Sequence, residues 1–163
     1  MQLVKLHGKP APGPGNLRLP PPVEVLSRLP YWEWHKLGVE RRRAETIRRA
    51  CFYSHRLQRI IDLDPVEAHL TLTSLPGIGN WTASHTTMAA LGNADAVLVG
   101  DFHIPHLVTW VLAREPRGSD ERMLELLEPY KGHRARVIRL IEAGSDRPER
   151  RAPRIELRSI ARI

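Results

Sequence analysis

Apolar residues return at helical spacing along most of this chain, and runs that alternate apolar with polar, as a strand requires, are nearly absent. Between Val39 and Ile61, the residues Ala44, Ile47, Ala50, Cys51, Leu57, Ile60 and Ile61 recur with arginines between them, which predicts one long amphipathic helix. Asp64 then precedes Pro65, with Glu67 following: an N-cap, a proline at the first helical position and an acid in the first turn. They open a second helix that runs towards Ser74. A third begins near Asn80. Gly92, Asn93, Asp95 and Gly100 surround a short apolar run, so residues 92–102 read as a loop. Helices follow over about 104–114, 120–128 and 133–143, the middle one capped by Ser119 or Asp120. Leu107, Val108, Val111, Leu112, Leu124, Leu127, Ile138 and Ile141 fall on their inward faces as core. The pattern predicts an all-α fold.

The two ends differ from this middle. Residues 1–30 form a proline-rich lead-in: Pro10, Pro12, Pro14, Pro20, Pro21, Pro22 and Pro30 remove backbone donors and leave room for one short helix near Val23–Leu29. Residues 31–144 carry the helical domain. From residue 145 the chain is rich in Arg, Pro, Ser and Asp, and a disordered basic tail is expected.

At 163 residues the length favours one compact unit. The chain carries 25 Lys plus Arg against 18 Asp plus Glu, a net charge of +7, which favours a polyanionic partner. The arginines cluster at Arg41, Arg42, Arg43, Arg48, Arg49, Arg56 and Arg59 and again in the tail; either cluster could equally be a solvated face. No run of about 18 apolar residues can span a membrane, and no charged-then-apolar leader opens the chain. One cysteine, Cys51, allows neither an internal disulfide nor a four-cysteine iron–sulfur cluster. A cytoplasmic, nucleoid-associated protein is expected.

The most informative stretch is Leu75-Pro76-Gly77-Ile78-Gly79-Asn80-Trp81-Thr82-Ala83, a two-glycine turn between two helical patterns. It reads as a helix–hairpin–helix. The glycines permit positive φ and close approach to another surface, while Ile78 can plug between the flanking helices. The new helix after the turn presents unbonded N–H groups and a positive dipole end, so Gly77, Ile78, Gly79, Asn80 and Thr82 are candidates to hold a DNA phosphate without reading a base. A plain corner between two helices would need the same glycines.

Together with Leu37-Gly38, Arg43, Ala90-Leu91-Gly92, Val99-Gly100-Asp101-Phe102-His103 and Pro129-Tyr130-Lys131-Gly132-His133-Arg134, this turn resembles the helix–hairpin–helix (HhH-GPD) DNA glycosylases of base excision repair, and among them the 3-methyladenine DNA glycosylase II family. The resemblance spans about Leu26 to Glu142. It implies a glycosylase that hydrolyses the N-glycosidic bond of a damaged, alkylated base flipped out of double-stranded DNA, with Asp101 as the catalytic carboxylate. It also implies a base pocket with Trp81, His85 and Tyr130, phosphate contacts from His103, His133 and Arg134, and a structural K+ or Na+ on the backbone carbonyls of Thr73, Leu75 and Ile78. No catalytic cofactor is implied, and the single cysteine sets the chain apart from members with an iron–sulfur cluster.

A lone carboxylate suits that chemistry. Breaking the bond develops oxocarbenium character on the sugar, which a fixed negative charge stabilises, and a cationic purine is drawn to aromatic faces such as Trp81 and, less directly, Trp32 or Trp34. Trp81 could instead be a packing residue at the start of its helix. Members that also cut the backbone carry a lysine nucleophile where Trp81 stands, so no lyase step is expected. Two departures narrow the likeness: no aromatic follows Tyr130, and His85 replaces a pocket tyrosine. Asp101, His103 and His106 would make a metal triad only through a sharp turn; otherwise His103 orients Asp101 or meets DNA, and His106 is a surface or helix-end group.

The resemblance begins at Leu26, so the family's N-terminal helices are expected to be missing, with self-association through apolar faces left uncovered and weak excision. The alternative function is a catalytically weak or inactive protein that grips DNA backbone non-specifically.

Overall fold

The computed structural model describes residues 2–144. Ten α-helices occur among the described residues and no strand, so the fold is all-α. They pack as two compact units rather than the single one that chain length predicts: residues 2–59 with Leu75–Gly77, and residues 60–74 with 78–144.

The first unit holds α1 (Gln2–His7), α2 (Val23–Arg28), α3 (Tyr31–Lys36), α4 (Arg41–Phe52) and α5 (Ser54–Gln58). Its lead-in is more ordered than its prolines predict. Residues 8–19 fold back on themselves, with Ala11 N–H donating to Leu17 O and Leu19 N–H to Lys9 O. The Arg18 guanidinium donates to Gly8 O at 2.7 Å. These bonds fasten the loop without the donors that proline lacks. α4 packs against α2 and α3. They meet over Trp34, wholly buried with Leu29 and Ala44, and its indole N–H donates to Leu29 O at 3.1 Å. A buried tryptophan with a satisfied N–H is core, which removes Trp34 from the pocket candidates and explains why this unit closes separately.

The long helix expected over 39–61 is broken. α4 ends at Tyr53, whose backbone leaves the helical region at φ −92° and ψ 20°, before α5 resumes and a 3-10 turn, Arg59–Asp62, follows. Phe52, Tyr53 and Ser54 sit at the break, residues of modest helix propensity in a stretch whose apolar spacing alone reads as continuous.

The second unit holds α6 (Pro65–Thr73), α7 (Asn80–Ala90), α8 (Ile104–Ala113), α9 (Asp120–Leu127) and α10 (Arg134–Gly144). α6 begins as the sequence dictates: Asp64 Oδ1 accepts from the N–H of Val66 at 2.8 Å and of Glu67 at 3.1 Å. Ser119 Oγ likewise accepts from Arg122 N–H at the start of α9. α6 packs on α7, where the buried Ala68 and Ala83 are small enough for the helices to approach closely. α8 packs on α9 and α10. Val108, Met123, Leu127 and Ile138 are essentially inaccessible at the centre, with Leu98, Ile104 and Ile141 around them and Leu107, Val111, Leu112 and Leu124 against the outside. α8 ends at Arg114, which takes the left-handed conformation at φ 59°. The tail expected to be disordered lies outside the described residues.

Candidate active site

Asp101 lies in the tight turn between the loop and α8, half-buried, with its N–H bonded to Leu98 O. Its Oδ1 accepts the backbone N–H groups of His103 at 2.7 Å and Ile104 at 3.0 Å, so the carboxylate caps the entry to α8. Its Oδ2 accepts the indole N–H of Trp81 at 2.8 Å. Three donors from two elements therefore fix the group's position. The turn is anchored once more from α9, where Asp120 Oδ2 accepts Gly100 N–H at 2.9 Å, with Gly100 at φ 85°.

Burial pushes the Asp101 carboxyl up, but the N–H groups of His103 and Ile104, the Trp81 indole and the nearby His103 outweigh it, and the pKa falls below the ordinary aspartate value. Asp101 is thus an anion at neutral pH, suited to stabilise positive charge and unsuited to donate a proton.

Trp81 and His85, one turn apart on α7, stand with ring centroids 5.3 Å apart and planes inclined by 39°. Both are exposed, Trp81 by 42%. Trp81 thus leaves part of its ring open to solvent while its N–H is held by Asp101. Phe102, beside Asp101, is 78% exposed and meets His103 and His106 edge to face. No role for Phe102 follows from the sequence pattern, where it is a single apolar residue after the Gly100 turn.

The structure brings Trp81, His85, Asp101 and His103 together, and treats the other candidates differently. No hydrogen bond or ring contact joins Tyr130 to Trp81, His85 or Asp101 among the described residues. His106 accepts the N–H of Gly118 on Nδ1 at 3.1 Å and so fastens the loop after α8. Arg134 is bound up with Asp95, which accepts from its Nε at 2.8 Å, from Nη2, and from the backbone N–H of Arg134 and Gly132. Asp95 caps α10 from the loop before α8, and the Arg134 hydrogen bonds hold its pKa down to about 2. His133 Nδ1 is 3.1 Å from Arg136 Nη1. No group of three or more His, Cys, Asp or Glu with metal-holding geometry occurs among the described residues.

In the turn between α6 and α7, Gly77 has φ 97°, and a Cβ there would collide with the Thr46 side chain of α4. Arg49 of α4 donates from Nη1 to Pro76 O at 2.6 Å. At the start of α7, Gly79 is the N-cap and no side chain caps the helix, so its first N–H groups remain open to a ligand.

No protein-family model and no curated protein matches the sequence. The backbone is similar to solved structures that include two glycosylases. A 3-methyladenine DNA-glycosylase from Archaeoglobus fulgidus superposes with TM-score 0.71 at 23% identity over 86% of this chain and 48% of that one. A DNA-3-methyladenine glycosidase from Bacillus halodurans gives TM-score 0.62 at 22% identity over 86% of this chain and 61% of that one. The likeness is one of fold, and the chain spans about half to three fifths of their lengths.

Proposed function

We propose that the chain is a monofunctional DNA glycosylase that hydrolyses the N-glycosidic bond of an alkylated base flipped out of duplex DNA. The observation that carries this reading is the Asp101 carboxylate, held ionised by three hydrogen bonds beside the exposed rings of Trp81 and His85. The fold it shares with two structures described as 3-methyladenine glycosylases supports it.

Breaking the C1′–N bond sends its electron pair to the base and leaves positive charge on the sugar; water then forms the new C1′–O bond and releases a proton. A fixed carboxylate lowers the barrier by stabilising that charge. An alkylated, cationic base leaves without needing a proton, so one ionised carboxylate serves where an ordinary glycoside needs an acid as well. The faces of Trp81 and His85 attract such a base. With tryptophan rather than an amine beside Asp101, no Schiff base forms and the product is an abasic site.

The uncapped N–H groups opening α7 at Asn80 and Thr82, with Gly77, Ile78 and Gly79, would hold a backbone phosphate as a helix–hairpin–helix does. The imidazoles of His103 and His133 are further candidates to meet the backbone. The carbonyl oxygens of Thr73, Leu75 and Ile78 are hard neutral donors that would hold K+ or Na+, whose charge would favour an anion at the turn. The test is incubation of the 163-residue chain with duplexes bearing alkylated, deaminated or oxidised bases, followed by alkaline cleavage. Abasic sites at alkylated purines support the reading, and binding without excision favours the alternative of a backbone-gripping protein.

A further inference from the structure

α4 carries five arginines, and the structure divides them. Arg41 pairs with Glu45 at 2.9 Å, Arg43 lies 3.7 Å from Glu40, and Arg48 donates to Ser27 O. Arg42 and Arg49 do otherwise. At about 100° per residue, Arg42, Thr46, Arg49 and Tyr53 fall within about 60° of one another on the helix surface. Thr46 is the side chain against Gly77, and Arg49 Nη1 binds the Pro76 carbonyl, so this is the face that touches the two-glycine turn. Arg42 is exposed and pairs with no acid among the described residues, and Glu45, the one carboxylate of α4, is held by Arg41.

Resting on the reading of the chain as a DNA-binding protein, we propose that the Arg42–Thr46–Arg49 face of α4, with the Pro76–Gly77 turn it holds, is a second contact surface for the phosphate backbone of duplex DNA. Arg49 has a double duty. One Nη donates to Pro76 O and keeps the turn in place, while its remaining donors and its charge face outward to a phosphate, a division that the separate N–H groups of the guanidinium fork allow. Arg42, two turns earlier, meets a neighbouring phosphate. Neither reads a base, so the surface strengthens binding to all duplexes alike.

The test measures affinity of the whole chain for an undamaged duplex across a series of salt concentrations. Arg42→Ala and Arg49→Gln should each reduce the magnitude of the slope of log K against log salt by about 0.9, and weaken binding roughly fivefold at 0.15 M salt. Arg49→Gln is the informative variant, since its amide can still donate to Pro76 O without the charge. Arg41→Ala, the same charge change about 100° round the helix from Arg42 at a cation that Glu45 already holds, should leave the slope unchanged. Equal slopes for the parent chain, Arg42→Ala and Arg49→Gln would overturn the proposal, as would an equal loss in Arg41→Ala or a parent chain that binds no duplex. The excision reading is scored separately: Asp101→Asn should keep the slope, so arginine-dependent binding without excision sinks that reading and leaves this one standing.

Discussion

The indole N–H of Trp81 donates to Asp101 Oδ2 across 2.8 Å, tying the first turn of α7 to the turn that opens α8. Twenty residues of chain separate the two, and the bond makes Trp81 a support for the carboxylate as well as an exposed ring. If Asp101 supplies the stabilising charge, Asp101→Asn should keep duplex binding and lower the single-turnover excision rate by about 10² or more. Undiminished excision would remove Asp101 from the mechanism.

Trp81→Phe keeps a ring and deletes the donor. A hydrogen bond to the ionised form lowers a carboxyl pKa, so losing it should move the acid limb of the pH–rate profile upward, towards the ordinary aspartate value. A lower rate with an unmoved limb would mean that the indole acts only through its ring. Borohydride should trap no covalent DNA adduct with the parent chain, and an adduct would show a lyase step after all.

Gly77→Val meets two obstacles at once, a left-handed φ of 97° and the Thr46 side chain. Its affinity should fall for damaged and undamaged duplexes alike, and stability should fall by about 1–3 kcal/mol in denaturant unfolding. A loss confined to one lesion would place the turn in the base pocket instead.

The Asp95–Arg134 pair sets an acid limit on stability. The Asp95 pKa is depressed to about 2, so its contribution is complete above the unfolded-state value near 3.9 and is lost as pH falls from about 4 through about 2. Asp95→Asn should flatten the stability profile in that window and cost about 1–3 kcal/mol at neutral pH, because α10 loses its cap and Arg134 its partner. An unchanged acid profile would show that other carboxylates govern the loss.

Much of the molecule was legible in the chain. Helix starts at Pro65, Asn80, Ile104 and Asp120 follow from residues within a turn of each start, and capping is a local interaction that the sequence states outright. The two glycines stand out for the same reason, as residues rare in a helix interior, whereas Asp101 stands out only through the family resemblance. The break at Tyr53 is hidden, because apolar spacing continues across it and only the backbone angles there show it. Trp81 reads as the first aromatic candidate and Trp34 as a lesser one; tertiary structure puts Trp34 in a core against Leu29 and bonds Trp81 to a carboxylate. Arg134 reads by resemblance as a phosphate contact, and its pairing with Asp95, 39 residues earlier, shows only in the tertiary structure, as does the bond from Arg49, one charge among many in the sequence, to Pro76. What the sequence determined by itself was whatever depends on near neighbours: the helices, their caps and the positions of unusual residues. Which charges are spent inside the protein and which are left for a ligand is settled by contacts between distant residues, whose geometry no local pattern encodes.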